Sequence, residues 1–126
     1  MDDLDEAKRI ALALQDYIAR FNSLISASPL HPDQAGLKAK ASALKECIRS
    51  ENKRLGASKY APKSQIEQNF LIPAVRQANG EFSKHPITNP SSAKWTRGLD
   101  AVRGELVYHL GRLTQKFPEV ASEQAR

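Results

Sequence analysis

Leu4, Ala7, Ala11, Leu14, Ile18, Phe21 and Ile25 recur at alternating spacings of three and four residues, and Ile10, Tyr17 and Leu24 widen the same stripe. An α-helix, with about 3.6 residues per turn, brings such positions onto one face, whereas a strand would need alternation of period two. Residues 3–27 therefore read as one amphipathic helix of about seven turns. Asp2, Asp3, Asp5 and Glu6 suit the positive end of its dipole, and Ser26, Ser28 and Pro29 end it. A helix of this length with a single apolar stripe needs partners, so its presence already points to a bundle.

Three further helices are expected. After the connector Pro29-Leu-His-Pro32, Pro32 and Asp33 are first-turn residues of a second helix. Its stripe is Leu37, Ala41, Leu44, Ile48 and Leu55, and Gly56 fits its C-terminal cap. A third starts near Lys63, after a Tyr60-Ala-Pro62 turn, with Ser64 as a cap. Ile66, Phe70, Leu71, Ala74, Val75 and Ala78 supply its buried face. Pro73 lies inside that pattern, removes one backbone bond and should kink or split the helix. Gly80 and Phe82 close it, and residues 83–92 form a long surface loop. The fourth helix runs from about Ser92 to Phe117, with Trp95, Leu99, Val102, Leu106, Leu110, Leu113 and Phe117 on one face. Pro118 stops it, and residues 119–126 are expected to fray. No strand-like alternation and no repeat appears. The expected fold is all-α: a compact bundle of four main helices, the third kinked at Pro73, in a single domain over residues 1–126.

The 126 residues, 40% hydrophobic and 26% charged, suit one such domain. No run of about 18 apolar residues occurs, so no membrane-spanning helix is expected. The acidic start, Met-Asp-Asp-Leu-Asp-Glu, is unlike the basic opening of a signal peptide. Cys47 is the single cysteine, which excludes an internal disulfide and a cysteine-ligated zinc site. An intracellular, cytoplasmic location is the expectation.

Charge is unevenly placed. The net charge is +5, yet residues 1–27 are net acidic and the excess lies downstream. Residues 38–63 carry Lys38, Lys40, Lys45, Arg49, Lys53, Arg54, Lys59 and Lys63 against Glu46 and Glu51. On a helical wheel Lys38, Lys45, Arg49 and Lys53 fall within about 80° of each other. They form a basic ridge roughly 22 Å long beside the apolar stripe. The segment 38–63 is a candidate polyanion surface, and a merely solvated helix face is the alternative account of it. With Arg54, Arg76, Arg97, Tyr108 and Arg112 these residues make the candidate nucleic-acid contacts.

Most catalytic templates are missing: there is no glycine-rich phosphate loop, no HExxH, and no glycine-flanked serine. His31, His85 and His109 are far apart, and the first two adjoin prolines, so exposed loop histidines are the simpler reading than a metal site. No metal or cofactor is expected. Arg103 and His109 resemble the R-x(4–6)-H signature of HEPN ribonucleases, small helical bundles that pair two such motifs in a dimer. There, histidine would act as acid or base and arginine would hold the scissile phosphate. A packed histidine at the edge of the core face is the alternative. Gly104 and Gly111 lie one heptad apart opposite the apolar stripe, ringed by Ala101, Tyr108, Arg97 and Arg112. Each glycine costs about 1 kcal/mol of helix propensity relative to alanine. This pair marks a face open to close approach by RNA or by another helix of an oligomer.

The stretch Leu106-Val-Tyr108-His-Leu-Gly111-Arg112 resembles the L-x-Y-x-x-G-R motif of the Csm-type small subunit of type III CRISPR–Cas effector complexes. Ser64-Gln65-Ile66, Phe70 and Val75-Arg76 are similar to that family's T-S-Q-I-R-x-F-[FY]-x-x-[IV]-R segment. The two blocks occur in the family's order and cover about residues 63–113. The resemblance implies a non-catalytic subunit of an antiviral ribonucleoprotein. Copies would stack along the effector filament, support the guide–target RNA backbone and contact other effector subunits, which do the cutting. The expected function is therefore non-specific RNA binding in such a complex. The alternatives are a HEPN-type ribonuclease using Arg103 and His109, and a protein-only adaptor or inhibitor whose basic ridge meets an acidic partner.

Overall fold

A computed structural model describes residues 2–27, 31–57, 63–85 and 87–120. The expected Pro29 and Tyr60–Pro62 connectors, and Lys59, lie outside the described residues. Four helices form the frame: α1 (Asp3–Ala27), α2 (Gln34–Ala57), α3 (Ile72–Lys84) and α4 (Ala93–Lys116). A five-residue π turn, Glu67–Leu71, runs directly into α3. Among the described residues there is no strand. The all-α bundle read from the periodicity is the architecture observed.

The helices sit at the corners of a square. α4 packs against both α1 and α3, and α2 packs against α3. The fourth side is loose, because α1 and α2 approach each other little although they follow one another in the chain. The core fills the middle with residues from every helix. Ala7, Ile10, Ala11, Leu14 and Phe21 of α1 meet Ala74, Val75, Ala78 and Phe82 of α3 and Trp95, Leu99, Val102, Leu106 and Leu113 of α4. Phe21 and Phe82 touch across the diagonal, ring centroids 5.5 Å apart. Burial of these side chains, at about 25 cal/mol per Å² of apolar surface, is what holds the helices together.

Local chemistry sets the helix ends. The Asp33 carboxylate accepts from Gly36 N–H at 2.8 Å, so Asp33 caps α2 instead of lying in its first turn. At the other end the helix runs through Gly56 to Ala57, and Gly56 does not terminate it. Ser64 Oγ accepts from Glu67 N–H at 3.0 Å, the expected cap of the third helical segment. Ser92 Oγ accepts from Lys94 N–H at 3.1 Å and caps α4. α3 passes Gly80 and Phe82 and ends at Lys84, stabilised in its last turn by the Glu81 pairings with Lys84 and His85.

The break expected at Pro73 takes the form of the π turn, in which Ile72 N–H bonds to Glu67 O, five residues back. Glu6 of α1 is buried beside it and binds Arg9, which reaches Glu67 at 3.3 Å. Two expectations need correction here. The segment after α3 is more than a surface loop: Pro90 is buried, and His85 and Ile87 lie against Gly98 of α4, where a Cβ would come within 3.0 Å and 3.1 Å of them. The chain after Pro118 does not fray at once either. Residues 118–120 form a further helical turn and Val120 is buried, an apolar anchor just past the proline. Residues 121–126 lie outside the described residues.

Candidate nucleic-acid interface

Of the ridge residues, Lys45 lines a cleft against Phe82 and Ser83 of α3, while Lys38, Arg49 and Lys53 are exposed on α2. Leu37, Ala41, Leu44, Ile48 and Leu55 are buried and fix the helix's rotation, so the charged flank cannot turn inward. Two clefts open along this seam. The first, about 420 Å³, is lined by Lys45 with Ala41, Phe82, Ser83, His85 and Thr88. The second, about 300 Å³, is lined by Asn52, Leu55, Gly56, Lys63, Ile72 and Arg76. Arg76 of α3 and Lys63, at the foot of the third segment, therefore lie beside the C-terminal part of α2. Lys63 belongs to the basic segment 38–63, and its charge alone does not show that the fold sets it beside Asn52.

Lys45, Lys63 and Arg76 line the seam, and Glu81 pairs with His85 at its edge. Arg49 has one exposed partner, Glu46, at 3.1 Å. Such a surface pair is worth at most about 1 kcal/mol and is readily exchanged for a phosphate. Arg54 points off the ridge, on the opposite flank of α2, where it is bound by Glu51.

The α4 candidates separate into two groups. Arg97 and Tyr108 are exposed, and Gly104 and Gly111 have open space where a Cβ would stand. This outer face looks away from α1 and α3, on the corner diagonal to α2, so it is a second surface and does not continue the ridge. Arg112 does not belong to it. Its guanidinium lies 4.9 Å from the centroid of Phe70, and its Nη1 donates to the carbonyl of Asn69 at 3.2 Å and to His109 Nδ1 at 3.0 Å. A long side chain near the edge of the face reaches back over the π turn, which the helical wheel alone does not show.

Arg103 and His109 are turned to different neighbours. Arg103 donates to Asn22 Oδ1 of α1 at 2.8 Å and pairs with Asp100. His109 is 3% exposed and lies 2.9 Å from Gln77 Oε1 of α3 through its Nε2. Because Nδ1 accepts from Arg112, the ring proton sits on Nε2 and points to Gln77. Burial first, and the Arg112 charge second, push its pKa below the usual histidine range. His31 Nδ1 accepts from Asp33 N–H, and His85 pairs with Glu81. Among the described residues no three His, Cys, Asp or Glu side chains are placed to hold a metal ion. No helix among them is long and apolar enough to cross a membrane. Neither a protein-family model, nor a curated protein, nor a solved structure matches this chain.

Proposed function

We propose that the protein is a non-catalytic RNA-binding subunit of a larger ribonucleoprotein of the RNA-guided, antiviral kind. In this reading the α2–α3 seam carries the sugar–phosphate backbone, and the α4 outer face meets neighbouring subunits or further copies of the chain in the cytoplasm. The observation that carries the reading is the exposed basic flank of α2, with Lys63 and Arg76 lining a cleft beside Asn52, Leu55 and Gly56 near its C-terminal end. Phosphate contacts of this kind position a nucleic acid without reading its sequence. The contact of Arg112 with Phe70 and Asn69 gives further support. It joins the two segments that resemble the Csm-type small subunit, so the motif arginine and the motif phenylalanine form one structural unit.

The HEPN alternative asks His109 to take or give a proton, and both of its ring nitrogens are committed within the fold. The adaptor alternative uses the same ridge against an acidic protein. Binding to a single-stranded RNA of mixed sequence decides between RNA and protein partners. Replacing Lys38, Lys45, Arg49 and Lys53 with glutamine should weaken that binding and flatten its salt dependence. Each phosphate that is no longer neutralised lowers the slope of log K against log salt by about 0.7. Unchanged affinity and slope would remove this surface from the proposal.

A further inference from the structure

The loose side of the square is an open cleft of about 420 Å³ between α1 and α2. Two stripes at helical spacing face each other there: Arg20, Ser23, Leu24 and Ala27 on α1, and Leu37, Lys40, Ala43, Leu44 and Cys47 on α2. Packed helices normally approach to about 8–10 Å by interdigitating large side chains. Ser23, Ala27 and Ala43 are too small to do so, and the described residues leave the space between them unfilled. The floor is apolar, made by Leu24, Leu37 and Leu44. The rim is cationic, with Arg20 and Lys40 exposed and His31 at one end, and among the described residues no carboxylate lines the cleft. Its volume falls in the range of about 300–1,000 Å³ usual for small-molecule sites.

We infer that this cleft binds an amphipathic carboxylate, with the anionic head on Arg20 and Lys40 and the apolar body over Leu24, Leu37 and Leu44. Arg20 already makes an i,i+4 pair with Asp16 at 3.0 Å. That pair is solvent-exposed and weak enough to yield to a ligand carboxylate whose body is simultaneously desolvated. His31 adds a donor, since Asp33 N–H occupies its Nδ1 and leaves a proton on Nε2. The charge of the rim selects the class: an anion with a short alkyl body is favoured over the equivalent alcohol or amine. The site lies on the α1 flank of α2, away from the α2–α3 seam, so it does not depend on the RNA reading.

Cys47 supplies the reporter. It is the sole cysteine, it is exposed, and its Sγ lies 3.9 Å from Arg20 Nη1 inside the cleft. Decanoate, kept below its micelle concentration, should bind in calorimetry and slow modification of Cys47 by a thiol reagent at least tenfold at saturation. Decanol and decylamine should do so at least tenfold less well. Arg20→Gln with Lys40→Gln should abolish the preference for the carboxylate. Ala43→Leu, at an exposed position on α2, should fill the cleft, remove decanoate binding and leave the helical melt intact. Equal binding of decanoate and decanol, unchanged Cys47 reactivity, or undiminished binding by a folded Ala43→Leu variant would each overturn the assignment.

Discussion

Arg112 donates from α4 to the main-chain carbonyl of Asn69, with Nη1 and oxygen 3.2 Å apart. Asn69 stands four residues before Pro73, the position whose carbonyl a proline leaves without its helical donor. The helix answers the proline in two ways. It widens into a π turn, and it borrows a donor from a neighbouring helix. The same guanidinium covers the Phe70 ring, so one side chain both satisfies the backbone and packs on the aromatic residue beside it.

Arg112→Ala should therefore destabilise the fold by about 2 kcal/mol, combining a charge-assisted hydrogen bond with a half-buried cation–π contact. That corresponds to a fall in melting temperature of roughly 8 °C for a domain of this size. Arg112→Lys should recover only part of the loss, because an ammonium cannot lie flat on Phe70 while donating sideways to Asn69. Thermal and urea melts followed by circular dichroism measure both. A variant as stable as the wild type would show the contact to be idle.

His109 makes stability depend on pH. Burial and Arg112 lower its pKa in the folded chain below the unfolded value of 6.5. Between the two values the unfolded chain holds a proton that the folded chain does not. Stability from this group is thus complete above about pH 6.5 and is lost as pH falls through the folded value. The groups around the ring are Arg112, the Gln77 amide and the edge of Tyr108; none carries a negative charge that would favour the imidazolium. His109→Gln should cost stability at neutral pH and flatten the decline below it. Urea midpoints at about pH 7.5 and 5.5 give the comparison, and parallel declines in both proteins would exclude His109 as the titrating group.

The course of α1 was legible because a stripe at spacings of three and four runs from Leu4 to Ile25, and the described helix spans Asp3–Ala27. Ser64 announces its cap for a local reason, a hydroxyl just ahead of an apolar-periodic run, whereas Ser92 marks only the start of α4 and its cap emerges from the structure. The core face of α4 was equally visible, and even His109 fell at its edge. What sequence could not show was reach. Arg112 lies well off the buried stripe on a wheel, and only the position of the π turn brings Asn69 and Phe70 under its side chain. Tertiary packing sets Lys63 and Arg76 beside Asn52, Leu55 and Gly56 of α2, and Ile87 is structural because Gly98 leaves room for it. Val120 looked like tail because Pro118 stops the helix, but the chain turns once more and buries it.

Purified protein should leave labelled RNA intact. Arg103 is bound to Asn22 and Asp100 on the α1 side of α4, while His109 is bound to Gln77 on the α3 side. Six positions along a helix place them about 120° apart around its axis. Arranged so, the pair does not converge on one phosphate within a single chain. Incubation with end-labelled RNA over hours is the test. Cleavage that disappears in both Arg103→Ala and His109→Ala would install the ribonuclease reading in place of the structural one.

The glycines of α4 make a matched contrast. A Cβ on Gly104 or Gly111 would meet nothing within 4 Å, whereas one on Gly98 would press on His85 and Ile87. Gly98→Leu should cost about 1–3 kcal/mol by forcing the segment after α3 away from the helix. Gly104→Leu together with Gly111→Leu should leave the monomer folded and slightly stabilised, since leucine is the better helix former by up to about 1 kcal/mol per site. The cost of the double variant should appear only in assembly. Tyr108 is 61% exposed and Val107 lies beside it, between the two glycines, so the face offers apolar contact that two new leucines would hold at a distance. Sedimentation of wild type and variant, alone and with RNA, should show the larger species disappear while the melt is unchanged or raised. An unfolded variant would mean that these glycines pack inside the monomer. A variant that folds and assembles normally would mean that the partner surface lies elsewhere, and stacking through this face would have to be abandoned.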